Sequence, residues 1–260
     1  MFYFLVNSLV WATPTLNNIN NAISTYNSHA KFSLPTLDSE QYGSLKEGMV
    51  VTLLDQAGQD EPQRAIGMLL SSVSATKLWI SCQDPHFSQQ SSTTEKRLSL
   101  NTDNSADWYG FMDMPWPLSD RHWLVNVSNN TSMAIKTNNT CWEHPWTLVL
   151  GETAKVYSHI GAAPLSNISK EMVDAAIFTP VNKGAWALIK VEDQNLLVYH
   201  ATTVVGGNIP SDLVIKLVRS TLDDMLKDIE TRAQNDIPSH YTDDHSLILG
   251  GNGKNILLFD

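Results

Sequence analysis

Apolar positions recur along this chain in two rhythms, and the change between them divides it. Leu16, Ile19 and Ile23 fall at helical spacing behind a threonine able to cap them, which predicts an amphipathic helix ending near Tyr26. From residue 34 onward, short β-branched and aromatic runs alternate with polar turns. They predict strands at 49–54, 65–71, 97–100, 108–112, 124–127, 133–135, 146–150, 156–160, 185–189 and 196–202, with Asn138-Asn139 as a hairpin turn. Such a succession predicts one antiparallel meander rather than βαβ units. A short helix interrupts it at 74–84, capped by Ser74, carrying Leu78, Trp79 and Cys82 on one side and ended by Asp84-Pro85.

The second rhythm occupies 209–230. Val214, Leu217, Val218, Leu222, Met225, Leu226 and Ile229 form one helical stripe, with Pro210 in the first turn and Gly206-Gly207 upstream to mark its start. A sheet apolar on one face needs a cover, and a long amphipathic helix supplies it. Beyond it, 234–260 is a turn-rich tail around Gly250-Gly251-Asn252-Gly253, either docked back or free.

Within the strands, 107–128 stands out. Pro115 and Pro117 cannot donate ladder hydrogen bonds, so the chain must leave the sheet at Pro115 and re-enter it near His122, making two strands around a rigid corner. Composition supports a core of some size. The 260 residues are 42% hydrophobic and 17% charged, with eight tryptophans, which argues against disorder. A net charge of -10 disfavours nucleic acid and anionic lipid surfaces as bulk electrostatic partners, leaving at most transient membrane contact.

Residues 1–12 are apolar but shorter than the roughly 20 residues of a membrane span. They end in Val10-Trp11-Ala12, a small-residue cleavage pattern, and lack a Lys or Arg ahead of the run. The expectation is a signal peptide and a secreted or periplasmic protein; the alternative is an N-terminal element of the fold and a cytoplasmic one. Export would permit a Cys82–Cys141 disulfide, while a reduced, buried pair is equally ordinary. Asn126-Val127-Ser128 and Asn167-Ile168-Ser169 are glycosylation triplets of the kind an Asn-rich chain acquires by chance.

The corner, Pro115-Trp116-Pro117-Leu118-Ser119-Asp120-Arg121-His122-Trp123-Leu124, resembles the P-W-P-x-S-x-R-D-x-V run of the START and polyketide-cyclase-like (SRPBCC, Bet v 1-like) superfamily, with His122 where the aspartate usually stands. Leu78-Trp79 is similar to that family's pair on its early helix. Gly184-Ala185-Trp186-Ala187-Leu188 is similar to its G-x-W-x-L strand, and the run from Gly206 to Val214 to its G-G-x-I-P-x-x-L-V approach to the last helix. The matches span about 55–233 in family order, so the resemblance implies a START-like domain over 13–233. It implies an α+β helix-grip fold: a curved antiparallel β-sheet wrapped around a long C-terminal α-helix, with a cavity between that holds a lipid or other hydrophobic molecule. On that pattern the lining residues are Trp108, Phe111, Trp123 and Trp186 from strands and Leu217, Thr221, Met225 and Ile229 from the helix; the alternative for each is simple core packing. Arg121 would either contact a ligand or clamp the corner through Asp120 or loop carbonyls. Sterol-binding members carry an interior arginine six residues farther on, where this chain has Val127, which favours a more uniformly apolar ligand.

Catalytic motifs are missing. The chain has no H-E-x-x-H, C-x-x-C, P-loop or G-x-S-x-G, and His144 three residues after Cys141 is an isolated pair, so no catalytic residue, metal or cofactor is assigned. Because cyclases and dehydratases share the fold, an enzyme with His122 or His200 as acid or base remains the alternative to a binding protein, and an exported interaction module acting through its tail is a third.

Overall fold

Thr15 opens the first helix, its side chain accepting from the Asn18 backbone amide, and α1 (Leu16–Asn27) follows with Ile19, Ile23 and Tyr26 buried. The computed structural model describes residues 13–55, 62–84, 93–100, 105–116, 118–151, 153–160, 167–204, 211–241 and 245–256. A reciprocal cap between Asp38 and Gln41 starts α2 (Ser39–Lys46), which the apolar rhythm does not reveal. Then come β1 (Val51–Asp55), β2 (Arg64–Ser71), α3 (Ala75–Gln83), β3 (Thr93–Leu100), β4 (Ala106–Met112), β5 (Arg121–Val127), α4 (Thr131–Lys136) and β6 (Cys141–Leu148). After these follow α5 (Thr153–His159), α6 (Lys170–Ala175), β7 (Ile177–Phe178), β8 (Val181–Val191), β9 (Gln194–Val204), α7 (Ser211–Asn235), α8 (Ile237–His240), β10 (His245–Leu249) and β11 (Asn255–Ile256).

The main sheet runs β1-β2-β9-β8-β6-β5-β4-β3, antiparallel throughout, with β7 added parallel to β5. A meander therefore holds from β3 to β9. It fails at one step: the chain crosses from β2 to β3 at the far edge, and β9 returns to pair with β2.

Two predicted strands are helices. Residues 133–135 lie in α4, where Asn130 caps the Met133 amide; Met133 and Ala134 turn inward while Ile135 is 68% exposed, a distribution that a one-turn helix accommodates. Residues 156–160 overlap α5, where Val156 is the buried position. Asn138 and Asn139 do form a turn, with φ of 50° and 62°, but it joins α4 to β6 rather than two strands.

Alternation in the strands sorts the side chains onto two faces. On the outer face Ile66, Met68, Ala187, Ile189 and Val198 pack with Ile19, Ile23, Tyr26 and Leu45 of α1 and α2, while Tyr109, Phe111 and Leu124 pack with Val156, Ile168 and Val173 around α5 and α6. On the other face, called here the helix face, Leu69, Leu188 and Leu197 meet Trp79 of α3 and Leu226, Ile229 and Ala233 of α7. Glu143 of β6 stitches the outer layer: fully buried, it accepts from Tyr26 Oη at 2.8 Å, Asn130 Nδ2 at 2.7 Å and the Lys31 amide at 3.3 Å. Burial, and then the Glu143 carboxylate, raise the Tyr26 phenol well above its usual range.

The tail is docked. Ile237, Tyr241, Ile248 and Ile256 join the cluster around Trp79 and Leu226, and the Trp79 indole donates to the Leu249 carbonyl at 3.0 Å. Both cysteines are free thiols. No helix among the described residues is long and apolar enough to cross a membrane.

Candidate ligand-binding site

Met112 of β4 pairs with Arg121 of β5, so the proline corner is the loop between them. The Leu118 amide donates to the Pro115 carbonyl at 3.0 Å and the Met114 amide to Asp120 Oδ1 at 3.0 Å. Arg121, 2% exposed, donates from its guanidinium to the carbonyls of Ser119 and Asp120. It clamps the corner, the second of the two roles its sequence position allows. Trp116 stands at the apex, 93% exposed, and Pro117 lies outside the described residues.

Past the corner the helix face becomes aromatic. Ala106, Trp123, Val125, Val127, Trp146 and Ala201 form one buried cluster, with Trp108, Met112, Leu148, Trp186 and Tyr199 half-buried against it. Two glycines make this wall possible. The Trp123 ring covers Gly110, its register partner on β4, and at Gly184 the His200 carbonyl and then the Trp146 ring leave no space for a Cβ. Trp146 Nε1 donates to Asn182 Oδ1 at 2.9 Å, and the Tyr199 ring packs at 5.3 Å from Trp146 and 4.8 Å from Trp186.

Of the residues expected from sequence, Trp108, Trp123 and Trp186 share this wall, with Arg121 at its rim on the same face of β5. Phe111 does not. Three residues from Trp108 it has the opposite strand parity, and it packs, 3% exposed, in the outer cluster with Tyr109 and Val156. Ile229 is buried in the α7–α3 seam, and Thr221 and Met225 are half-buried on α7. Leu217 belongs to α7, but its side chain and the Gly206-to-Pro210 approach lie outside the described residues.

Sequence reasoning missed Trp146, Tyr199 and Glu95. Glu95 of β3 pairs with Gly110 and so faces the same side as Trp123. Burial pushes its carboxyl up to about 7. Tyr199, on β9, also sits above its usual range, through burial first and the Glu95 charge second. β3 and β9 lie five places apart in the strand order, and the influence of the Glu95 charge on Tyr199 is in keeping with a sheet that curves. Period-2 counting could have placed Trp146 beside Trp186, whose strands pair; β3, polar from Thr93 to Arg97, gives no clue to Glu95.

The histidines divide by face. His122 is held on the outer face between Tyr109 and Phe178, and burial lowers its pKa. His200 is fully buried on the same face against Phe32, so neither residue of the enzyme alternative points at the aromatic wall. His144 does lie on the helix face, edge-on to Trp79, with Nδ1 2.6 Å from Asn129 Oδ1, and burial lowers it to about 4. No group of three or more His, Cys, Asp or Glu side chains able to hold a metal occurs among the described residues. Chemically the wall offers a broad apolar surface flanked on β3 by two polar groups among the described residues: Glu95, whose carboxyl burial keeps largely protonated below neutral pH, and Arg97, register partner of Trp108.

No protein-family model and no curated protein matches the chain by sequence. Solved structures do match. A STAR-related lipid transfer protein from Xanthomonas axonopodis superposes with a TM-score of 0.53 at 18% identity, covering 73% of this chain and 95% of its own. Human STARD10 gives 0.51 at 13% identity over 78% and 82%. The lipid transfer and protein localization domain of human StarD13 gives 0.52 at 10% identity over 77% and 100%. With the antiparallel sheet, the clamped proline corner and the long helix across one face, these likenesses identify the architecture: this chain has the helix-grip fold of the START domains.

Proposed function

We propose that this protein binds a single hydrophobic molecule of lipid type between the aromatic wall and α7, without covalent chemistry of its own. One observation carries the reading. Trp108, Met112, Trp186 and Tyr199 keep accessible surface on the face that α7 and α3 cover elsewhere, beside buried Trp123 and Trp146. Half-buried aromatics gathered on one concave face are the usual lining of a site for an apolar ligand. Structural neighbours named for lipid transfer support the same class. Val127 contributes an isopropyl group to the wall, which suits an apolar body there, and Glu95 and Arg97 on β3 are the groups on this face available to orient a polar end. The reading includes export, with residues 1–12 as the leader; N-terminal sequencing of the protein recovered outside its producing cell should begin at Thr13.

Native mass spectrometry of the purified protein, followed by organic extraction, tests the binding. The expected result is one bound lipid per chain, lost in Thr221→Trp, which adds an indole to the half-buried side of α7. A protein that carries nothing and takes up nothing from a mixed lipid extract would refute it.

A further inference from the structure

A second concavity lies on the outer face, on the opposite side of the sheet from the wall. There the segment after α1 arches over β1, β2, β9 and β8 and leaves an open pocket of about 500 Å³. Its floor is a single register row: Asp55 of β1 pairs with Arg64 of β2, Arg64 with Thr202 of β9, and Thr202 with Lys183 of β8. Neighbouring strands are about 4.8 Å apart, so the guanidinium and ammonium groups flank the Thr202 hydroxyl at side-chain reach.

Charges in the row are unevenly matched. Asp55 is taken by Arg64 at 2.5 Å, and Arg64 also donates to the Ser33 carbonyl at 2.6 Å, which fixes the guanidinium in place. Lys183 has no carboxylate within salt-bridge distance among the described residues; its ammonium lies 5.8 Å from the centre of the Phe32 ring. Lys31 adds a third cation at the rim. In a chain of net charge -10, three cations around one already paired carboxylate are a local reversal of sign. The Thr202 hydroxyl makes no hydrogen bond among the described residues. His200, two residues back on β9 and packed at 5.7 Å against Phe32, is held down to about 3 by burial and by Arg64, so it stays neutral and leaves the cations as the charged floor.

We propose that this pocket is an oxyanion site, taking the phosphate or carboxylate of a small molecule whose apolar part lies on Phe32. Lys183 and Arg64 neutralise the anion, Thr202 donates one hydrogen bond to it, and the Phe32 ring favours an attached aromatic or alkyl group. The site is independent of lipid binding on the helix face.

Phenyl phosphate and inorganic phosphate, titrated into 15N-labelled protein and followed by amide shifts, test it. Saturable shifts at 31–35, 183 and 202 are expected, with phenyl phosphate the tighter probe. Lys183→Gln should weaken both at least tenfold, Phe32→Ala should remove the preference for phenyl phosphate, and Thr221→Trp should change neither. Raising salt should weaken binding. Co-sedimentation with vesicles containing phosphatidic acid, abolished by Lys183→Gln, would assign the anion to a lipid headgroup; failure to co-sediment alongside saturable phenyl phosphate binding would assign it to a soluble molecule. Absence of saturable shifts, or equal affinity in Lys183→Gln with an unchanged melting temperature, overturns the proposal.

Discussion

Gly110 and Gly67 sit under side chains on the same face of the sheet and should respond differently to a methyl group. At Gly110 the obstacle is the rigid Trp123 indole, which cannot yield without leaving the wall. Gly110→Ala should cost about 2–3 kcal/mol in urea denaturation and reduce lipid uptake. At Gly67 an added Cβ meets the end of the Leu226 side chain at 2.8 Å, a flexible tip rather than a rigid ring though buried in the core, so Gly67→Ala should cost less than Gly110→Ala, about 1–2 kcal/mol. Buried ionisable residues set the acid response. His144 and His200 have folded pKa values of about 4 and about 3, below the 6.5 of a free imidazole, so the unfolded chain binds more protons and stability falls as pH drops from 6.5. Glu95 runs the other way: its pKa rises from 4.5 to about 7, so acidification between those values stabilises the fold. Two histidines, one of them fully buried, outweigh one carboxyl. Denaturation between pH 7 and 4 should show a net acid loss, reduced by about 2 kcal/mol at pH 5 in His200→Phe and steepened in Glu95→Gln. None of these pKa shifts is visible in the sequence, because each comes from burial by residues distant along the chain.

Among elements, those with a covalent or periodic cause were legible. Ser74 caps the helix it was expected to cap, a threonine caps α1 as expected and proves to be Thr15, and the chain is out of the sheet at Pro115, between the end of β4 at Met112 and the start of β5 at Arg121. Leu222, Leu226 and Ile229 face inward along α7 as their spacing implies. The misread stretches, 133–135 and 156–160, are too short to tell a period of 2 from one of 3.6. α2 escaped because its helix signal is the Asp38–Gln41 cap and not an apolar stripe. Glu143 makes the outer layer testable as a unit. Glu143→Ala leaves the buried Tyr26 Oη without its acceptor and takes one acceptor from the Lys31 amide and from Asn130 Nδ2, which keeps the His29 carbonyl. It should cost about 3 kcal/mol, and hydrogen exchange should quicken in α1 before the sheet.

For the molecule as a whole, the fold family could be recognised from four motifs, while the wall's composition needed the sheet's curl and pairings. Phe111 shows why: being close in sequence to Trp108 and equally aromatic says nothing about face until strand parity is applied. The tail likewise gave no periodic signal, yet Ile237, Tyr241, Ile248 and Ile256 complete the helix-face core. Burying four such side chains contributes on the order of 8 kcal/mol, comparable to the net stability of a domain. Truncation after Asn235 should therefore abolish cooperative thermal unfolding rather than yield a trimmed, folded protein.

Trp116, at the apex of the proline corner, differs from every other described tryptophan in being almost wholly exposed. Its emission should fall at the red edge of the spectrum and be quenched first by acrylamide, masking the blue emission of the enclosed indoles. Trp116→Phe removes that exposed emitter without touching a buried contact, so that Trp108, Trp123, Trp146 and Trp186, over the steadier signal of Trp79 and Trp142, report optically on whatever occupies the space beside the wall.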